Sequence, residues 1–297
     1  MVSSLFENQD AVPLQTTSAA LEVNQDSVSM LWERLGQSRH DPLSIDELQR
    51  HYSPALPLPL RTALAERLGM QEGRALHALL ALHSRHGHQP ELLLALGMTH
   101  QHEAWQRLHP LLSLDEGEID HAVLLRSLAC WGRRIDRSVI ATALARPASD
   151  IRLAALELLT FHARLLSAEQ LLELCAEPLD DLRPEVAIAT LRLLQRRDED
   201  VVVRRIAACI CDRGVPPVCR VAIQALGCIG TEASAEALVE CRLKLRDATL
   251  RQDLEHQIHA QFRHQQLMRN RLRQAAAASL LSEAESLRLQ NLLHRWS

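Results

Sequence analysis

The chain has 297 residues and a formal net charge of −4 at pH 7, and 47% of its residues are hydrophobic although only 3% are aromatic. Strands favour aromatic and β-branched residues, so this Leu- and Ala-rich composition argues against a β-sheet protein and predicts an all-α fold. No run of about 18 apolar residues is present, which argues against a membrane-spanning helix.

The N-terminal segment, residues 1–30, is acidic and polar. Its charged residues are Glu7, Asp10, Glu22 and Asp26, with no Lys or Arg. This composition, without a sustained helical stripe, predicts a disordered or loosely docked tail. The segment also lacks the basic start and apolar stretch of a secretory signal, and the seven cysteines do not follow the spacing of a disulfide framework. We therefore expect a protein of the reducing cytoplasm.

Residues 31–56 are predicted to form N-terminal cap helices. Ser44 followed three residues later by Glu47 is a helix-start signal, in which each side chain bonds the main chain of the other residue. The proline-rich segment 53–59 then interrupts the helical pattern, because closely spaced prolines favour extended backbone. The same start signal recurs at Ser167 and Ser282, and prolines that suit a first helical turn stand at Pro90 and Pro184.

Between residues 57 and 260 the chain repeats one helical template, most clearly at 151–159, 186–194 and 218–226. Aligned on one position, five copies place Leu92, Ser127, Ala155, Thr190 and Ala222 at steps of 35, 28, 35 and 32 residues. A period in this range predicts an α-solenoid of helix pairs, because one pair of about 30 residues cannot bury its apolar stripe alone. The frame also aligns Gly97, Gly132 and Gly227, where Gly is expected to end a helix.

Residues 261–297 are predicted to form C-terminal capping helices, since an end repeat must cover exposed core. From 242 to 297 the chain holds ten basic and five acidic residues. Arg263, Arg269, Arg271 and Arg273 fit either a patch for an acidic partner or a solvated helix face. Because the net charge is negative and aromatic stacking residues are scarce, we do not expect nucleic-acid binding.

Residues that bind metals or carry out catalysis form no recognised motif. Fifteen histidines include close groups at 83–88 and at His256 and His259, yet no carboxylate or thiolate accompanies them at metal-ligand spacing. Cys209, Cys211 and Cys219 lack the paired spacing of a zinc site and are interpreted as core residues. Neither a Gly-rich phosphate loop nor a nucleophile elbow is present. The sequence thus predicts no metal and no cofactor, and it favours a non-catalytic protein.

The repeat template resembles the HEAT-like helical repeat family in its short bacterial form. The resemblance rests on residues 219–227, CRVAIQALG, and on the opening Asp150-Ile151-Arg152, and it covers roughly residues 55–260. In the first of these stretches the arginine sits one place later than in the template. The resemblance implies stacked helix pairs and is silent on chemistry, because such repeats serve many unrelated roles.

A non-catalytic adaptor or scaffold is the function that the repeat array favours. A curved array offers one long concave face to a protein partner, whose identity the sequence does not give. The predicted contacts are the polar positions of otherwise apolar helices: Arg126, Arg152, Glu157, Arg192 and Gln224.

The same repeats are similar to those of the phycobilin lyases, and this similarity implies an alternative function. Such a lyase holds a linear tetrapyrrole and delivers it to a Cys of a phycobiliprotein. The resemblance implies that arginines of the concave face would hold the bilin propionates, while Trp105 or Trp131 would contact the rings. If the chain is an enzyme, the resemblance makes it a bilin lyase.

Overall fold

A computed structural model describes residues 25–37, 40–115, 117–130, 135–212 and 214–277, together with residues 287, 290 and 291. These residues form sixteen α-helices joined by short connections, and the described part contains no β-strand. None of its helices is both long enough and apolar enough to cross a membrane. The predicted tail up to residue 24, Gly132, Ser282 and much of the predicted C-terminal cap lie outside the described residues.

The helices follow one another along the whole described chain. The first eight are α1 (Gln25–Gln37), α2 (Ile45–His51), α3 (Leu58–Gly69), α4 (Leu76–His86), α5 (Pro90–Met98), α6 (His102–Leu108), α7 (His121–Cys130) and α8 (Arg137–Leu144). The others are α9 (Ser149–His162), α10 (Ala168–Leu179), α11 (Pro184–Leu194), α12 (Asp200–Asp212), α13 (Pro216–Ile229), α14 (Glu232–Lys244), α15 (Ala248–Ala260) and α16 (Gln265–Ala277). Pro90 and Pro184 open their helices as predicted, and Ser44 and Ser167 form the predicted caps.

Two layers of helices run side by side through the molecule. In the odd layer, each helix from α3 to α15 packs on the next odd-numbered helix, and in the even layer α8 to α16 do the same. Extensive packing in the described part joins only helices that are one or two places apart in the chain. A closed bundle would bring distant helices together, whereas a solenoid stacks each pair on its neighbours alone. The predicted all-α solenoid is therefore confirmed.

The repeat frame identified in the sequence coincides with the core of the odd layer. Its five aligned residues lie on α5, α7, α9, α11 and α13, and all are fully buried: Leu92, Ser127, Ala155, Thr190 and Ala222. The two polar members are satisfied within their own helices, since the Ser127 hydroxyl donates to the Val123 carbonyl at 2.8 Å and the Thr190 hydroxyl to Val186 at 2.8 Å. Most of these side chains are small, which lets successive odd helices approach closely.

Two of the three aligned glycines, Gly97 and Gly227, do not end their helices, and for them the sequence prediction was wrong. Gly97 and Gly227 lie inside α5 and α13. A Cβ atom at Gly97 would overlap the main-chain carbonyl of Ser127 on α7, and one at Gly227 would overlap the side chain of Gln257. Gly97 is therefore required for the close packing of α5 on α7, whereas at Gly227 the flexible Gln257 side chain can move aside. The residue that does end α13 is Gly230, which has a left-handed φ of 65°.

Of the three predicted segment boundaries, one lies within a helix, one lies between two helices and one lies at the end of a helix. The boundary at residue 30 lies within α1, because that helix begins at Gln25. The boundary at residue 56 lies between α2 and α3, and residue 260 is the last residue of α15. Helix α2 packs on both α3 and α4, so it continues the stacking pattern.

Candidate binding face

Four consecutive helices of the odd layer expose the same kind of side-chain pair. Each pair is an aliphatic residue followed, three or four positions later, by a polar one. On α7, α9, α11 and α13 the pairs are Val123 and Arg126, Leu153 and Glu157, Ile188 and Arg192, and Val221 and Gln224. Residues three or four apart lie on one side of a helix, so each pair forms a short stripe. We call these eight residues the odd-helix face.

Helix register explains why the polar members stay at the surface. Glu157, Arg192 and Gln224 are each the ninth residue of their helices. The residues on both sides of them along the helix are buried in the core, as Leu156 and Leu158 are beside Glu157. The core side chains therefore fix the orientation of each helix, and that orientation directs the ninth residue outward. The aliphatic members are partly buried and pack against the core.

Charge alternates along the odd-helix face. The Arg126 Nε atom lies 3.2 Å from Glu157 Oε2, and these side chains are 38% and 55% exposed, so solvent screens much of their attraction. Within the described chain no carboxylate pairs with Arg192. Gln224 borders a shallow cleft of about 200 Å³ between α13 and α15, which also contains Asp253 and His256. The face thus offers an open cation, Arg192, and one amide group, Gln224, beside aliphatic side chains.

Arg152 points away from this face and holds two loops together. Its Nη1 group contacts Asp181 Oδ2, and its Nε donates to the Arg146 carbonyl. Arg183 also donates to Asp181, with Nε 3.0 Å from Oδ1. The hydrogen bonds from Arg183 and Arg152 lower the pKa of Asp181 to about 2. Asp181 is 3% exposed, so these guanidinium groups stabilise a buried carboxylate, and Arg152 has a structural role.

Of the two tryptophans proposed as ring contacts, Trp105 is not brought to the odd-helix face. Trp105 lies on α6 of the even layer, where it is partly buried and its ring centroid is 5.1 Å from that of His109. Trp131 lies outside the described residues. In the described part, the arginines of the odd-helix face therefore have no tryptophan beside them.

One predicted histidine group forms an internal hydrogen-bonded cluster. His83 Nε2 lies 3.0 Å from His88 Nδ1, and Arg107 Nε donates to His83 Nδ1 at 3.2 Å. His83 is 1% exposed, and its burial, together with the charge of Arg107, lowers its pKa to about 4. Among the described residues, no group of three metal-binding side chains converges. The cluster acts in packing, which the spacing alone could not show.

A buried carboxylate near the same histidines was not recognised in the sequence. Glu91 is 4% exposed and accepts a hydrogen bond of 2.8 Å from the Tyr52 hydroxyl. Arg61 Nε lies 3.0 Å from the same carboxylate, and Arg61 also donates to the Pro54 carbonyl. This network ties α2 and α3 to α5. No motif marks it, because its members are 30 or more residues apart in the chain from Glu91.

Two of the three cysteines that were considered as thiolate ligands occupy the core as predicted, whereas the prediction was wrong for Cys211. Cys209 and Cys219 are buried, and the Cys219 thiol lies 3.6 Å from the Cys209 carbonyl. Cys211 is exposed, and its sulfur lies 3.7 Å from that of buried Cys241. Burial raises the pKa of Cys241, so its thiol stays protonated and is a poor metal ligand.

Two other proteins are among those whose solved structures are similar to this chain. No family model matches the chain, and no curated protein matches it. The chain is similar to the complex of CpcE and CpcF of phycocyanin lyase from Nostoc sp. PCC7120, with 18% identity, a TM-score of 0.41, and 85% of this chain and 94% of that chain covered. It is also similar to human deoxyhypusine hydroxylase in complex with glycerol, with 18% identity, a TM-score of 0.36, and 80% and 97% covered. At these values the likenesses assign neither a family nor a function.

Proposed function

We propose that this protein is a non-catalytic adaptor that binds a protein partner along the odd-helix face. The observation that carries the proposal is the fourfold recurrence of an aliphatic residue followed by a polar one on α7, α9, α11 and α13. Protein interfaces combine an apolar centre with polar groups and are enriched in Arg. The odd-helix face repeats that combination four times in a row.

The dimensions of the face favour an elongated segment of the partner. Packed helices lie about 8–10 Å apart, so four of them present a row about 25–30 Å long. A partner strand of about nine residues, or a helix of about 20, covers that length. Such a segment would place apolar side chains against Leu153, Ile188 and Val221 and a carboxylate against Arg192.

The proposal extends to the organisation of the whole chain. The helix pairs between residues 57 and 260 form a HEAT-like array whose odd-helix face is concave. Residues 31–56 and 261–297 cap its two ends, and residues 1–30 are an N-terminal tail whose last six residues begin α1. The protein acts in the cytoplasm.

The bilin alternative requires an aromatic ring beside the arginines that hold the propionates. Trp105 is on the other layer, and the described part of the odd-helix face consists of aliphatic, charged and amide side chains. A flat pigment gains most of its binding energy from aromatic and apolar enclosure, which this open face does not supply. The adaptor therefore fits the geometry better.

Site-specific photo-crosslinking in a lysate of the source organism tests the adaptor proposal. A photoreactive residue replaces Gln224 on the odd-helix face or, as a control, exposed Arg85 on α4 of the even layer. We expect position 224 to cross-link one partner that position 85 does not. The substitution Arg192→Glu should abolish this cross-link, whereas Arg204→Glu on α12 should preserve it. Equal labelling from both positions, or no partner at position 224, would contradict the proposal.

Co-expression with enzymes that make a linear tetrapyrrole separates the two functions. Under the adaptor proposal the purified protein is colourless. A coloured, bilin-retaining protein, with pigment lost in Arg126→Ala and Arg192→Ala, would favour the lyase-like function instead.

A further inference from the structure

Two cysteine sulfurs from neighbouring helices of the even layer are in contact. Cys211 lies on α12 and Cys241 on α14, 30 residues apart in the chain, and the Cys211 thiol donates to the Cys241 sulfur at 3.7 Å. Both residues are free cysteines in this structure. Helix α12 packs extensively on α14, so the contact joins two successive helix pairs of the stack. We call these two residues the cysteine pair.

The position of the Cys241 sulfur is fixed by α12. Cys241 is 2% exposed, and its own thiol donates to the main-chain carbonyl of Ala207 on α12 at 3.7 Å. Ala207 and Cys211 are four residues apart, so they lie on one side of α12, one turn from each other. The Cys241 sulfur therefore rests against the last turns of α12, and the packing of the two helices keeps it beside Cys211.

The distance between the two sulfurs permits a covalent bond after a small movement. A disulfide bond is about 2.0 Å long, so sulfurs that are 3.7 Å apart must approach by about 1.7 Å. Cys211 is exposed and is the last residue but one of α12. Because helix ends fray, rotation of the Cys211 side chain with a slight shift of the helix end brings the sulfurs together.

The surroundings of the two sulfurs decide which one meets an oxidant first. Cys211 is open to solvent, whereas Cys241 is enclosed. Burial, together with the neighbouring Cys211 sulfur, raises the pKa of Cys241. The thiolate is the reactive form of cysteine, so Cys211 is the more reactive member. An accessible sulfur beside a second thiol that can displace the oxidised group is the arrangement expected of a redox-sensitive pair.

We propose that Cys211 and Cys241 form a reversible disulfide when the protein meets a peroxide. The Cys211 thiolate attacks an oxygen of hydrogen peroxide, the O–O bond breaks, and Cys211 becomes a sulfenic acid as hydroxide leaves. The Cys241 sulfur then attacks the Cys211 sulfur, the S–O bond breaks, and the leaving hydroxide takes the Cys241 proton. Two thiols are thereby oxidised to one disulfide, and one hydrogen peroxide is reduced to two waters. A small thiol restores the pair by exchange.

The disulfide would link α12 to α14 and close a loop that contains the whole of α13. Such a cross-link restricts the unfolded chain, so the oxidised protein should be more stable than the reduced one. The inference is independent of partner binding, because neither member of the cysteine pair belongs to the odd-helix face.

Peptide mapping of the full chain after oxidation tests the inference. Trypsin leaves Cys211 in the peptide 206–213 and Cys241 in the peptide 221–242. The dilute protein is treated with one equivalent of hydrogen peroxide, and the remaining thiols are alkylated before digestion. We expect mass spectrometry to find these two peptides linked, and dithiothreitol to separate them. The urea midpoint should be higher for the oxidised protein than for the reduced protein.

Variants identify the two sulfurs, because the linked peptides also contain Cys209 and Cys228. Cys211→Ser and Cys241→Ala should each abolish the link and the peroxide-induced shift of the urea midpoint. Cys228→Ser, at an exposed cysteine, is the matched control and should keep both. In Cys241→Ala the sulfenic acid has no thiol to displace it, so dimedone should label Cys211.

Three results would overturn the inference. They are a link that persists in Cys211→Ser, a dimer joined through Cys211 in place of the link within one chain, and unlinked peptides at a peroxide dose that already oxidises exposed Cys130 and Cys228. Cys211 is exposed, so Cys211→Ser is compatible with the fold, and circular dichroism verifies it. That variant decides the outcome even if Cys241→Ala, at a buried position, does not fold.

Discussion

The buried imidazole of His83 should make the stack sensitive to mild acid. Arg107 donates to Nδ1 of His83, so the neutral ring carries its proton on Nε2 and donates it to His88. Burial and the nearby guanidinium lower the pKa of His83 to about 4, from 6.5 for an unperturbed histidine. The unfolded chain therefore binds a proton between pH 6.5 and pH 4 that the folded chain does not bind. The contribution of His83 to folding stability is therefore fully present above pH 6.5 and is lost as the pH decreases towards 4.

The size of this loss follows from the pKa shift. A difference of about 2.5 pKa units corresponds to about 3 kcal/mol, which is reached near pH 4. Urea unfolding at a series of pH values, monitored by circular dichroism, measures how much the free energy of unfolding changes with pH. Hydrogen exchange shows which helices lose stability, because the packing around His83 involves α4 and its neighbours. A loss of about 3 kcal/mol accelerates exchange through local opening more than 100-fold in α4 and α5, with a smaller change in α13.

The substitution His83→Gln removes the titrating group while leaving an acceptor for Arg107 and a donor for His88. Between pH 6.5 and pH 4, the free energy of unfolding of this variant should change much less with pH than that of the wild type. His77→Gln, at an exposed position of the same helix, should follow the wild-type curve. The reasoning is refuted if wild type and His83→Gln lose stability in parallel, or if an NMR titration gives His83 an ordinary pKa.

Three substitutions elsewhere test the packing, the buried ion pair and a helix cap, each by the urea midpoint. Gly97→Ala should destabilise the protein by about 2 kcal/mol, because the new methyl group overlaps a main-chain carbonyl of α7. The control Gly36→Ala should be neutral or slightly stabilising, because the space around Gly36 is open. Arg152→Ala should cost about 2 kcal/mol at pH 7, since the buried carboxylate of Asp181 loses one of its guanidinium partners; this cost should disappear as the pH falls from about 4 through 2, where Asp181 becomes protonated. Ser167→Ala removes the cap of α10 and should cost about 1 kcal/mol, and an unchanged midpoint would show that the cap contributes nothing.

The sequence predicts the solenoid well because buried positions recur at similar intervals along the chain. The positions of Leu92, Ser127, Ala155, Thr190 and Ala222 were aligned from their neighbours alone, and all five are fully buried in one layer. In a stack of similar pairs, each helix meets the same kind of neighbour, so the same positions must be small or apolar each time. A local pattern is sufficient to reveal that requirement.

The role of the aligned glycines depends on distances that a local pattern does not contain. A Gly near the end of an apolar run is compatible with a left-handed helix end and also with the close approach of another helix. For Gly97 the neighbouring helix starts more than 20 residues later, at His121. Only the packing of α5 on α7 shows that the second explanation applies.

Buried polar groups were the main feature that the sequence did not predict. His83, Glu91 and His121 are hydrophilic residues that composition assigns to the surface or to loops. Each is buried because the stack places partners or a cleft beside it: Arg107 for His83, Tyr52 for Glu91, and a cleft between α7 and α8 for His121. These contacts join different helix pairs, so they are visible only when the pairs are stacked.

The position of a polar residue within its helix decides whether it stabilises the stack or faces a partner. Arginine at the fourth helical position donates to a carbonyl of the preceding connection three times: Arg61 to Pro54, Arg152 to Arg146, and Arg251 to Leu245. Arg220, the fifth residue of α13, is instead 52% exposed and lies 3.6 Å from Asp253. The one-residue shift noted in the template therefore changes the direction of the side chain, since each helical residue turns by about 100°. The ninth position lies five residues, or about one and a half turns, beyond the fourth, and therefore on a different side of the helix. Glu157, Arg192 and Gln224 are exposed at that position and remain available to a partner, whereas Arg152 is held by Asp181 and the Arg146 carbonyl.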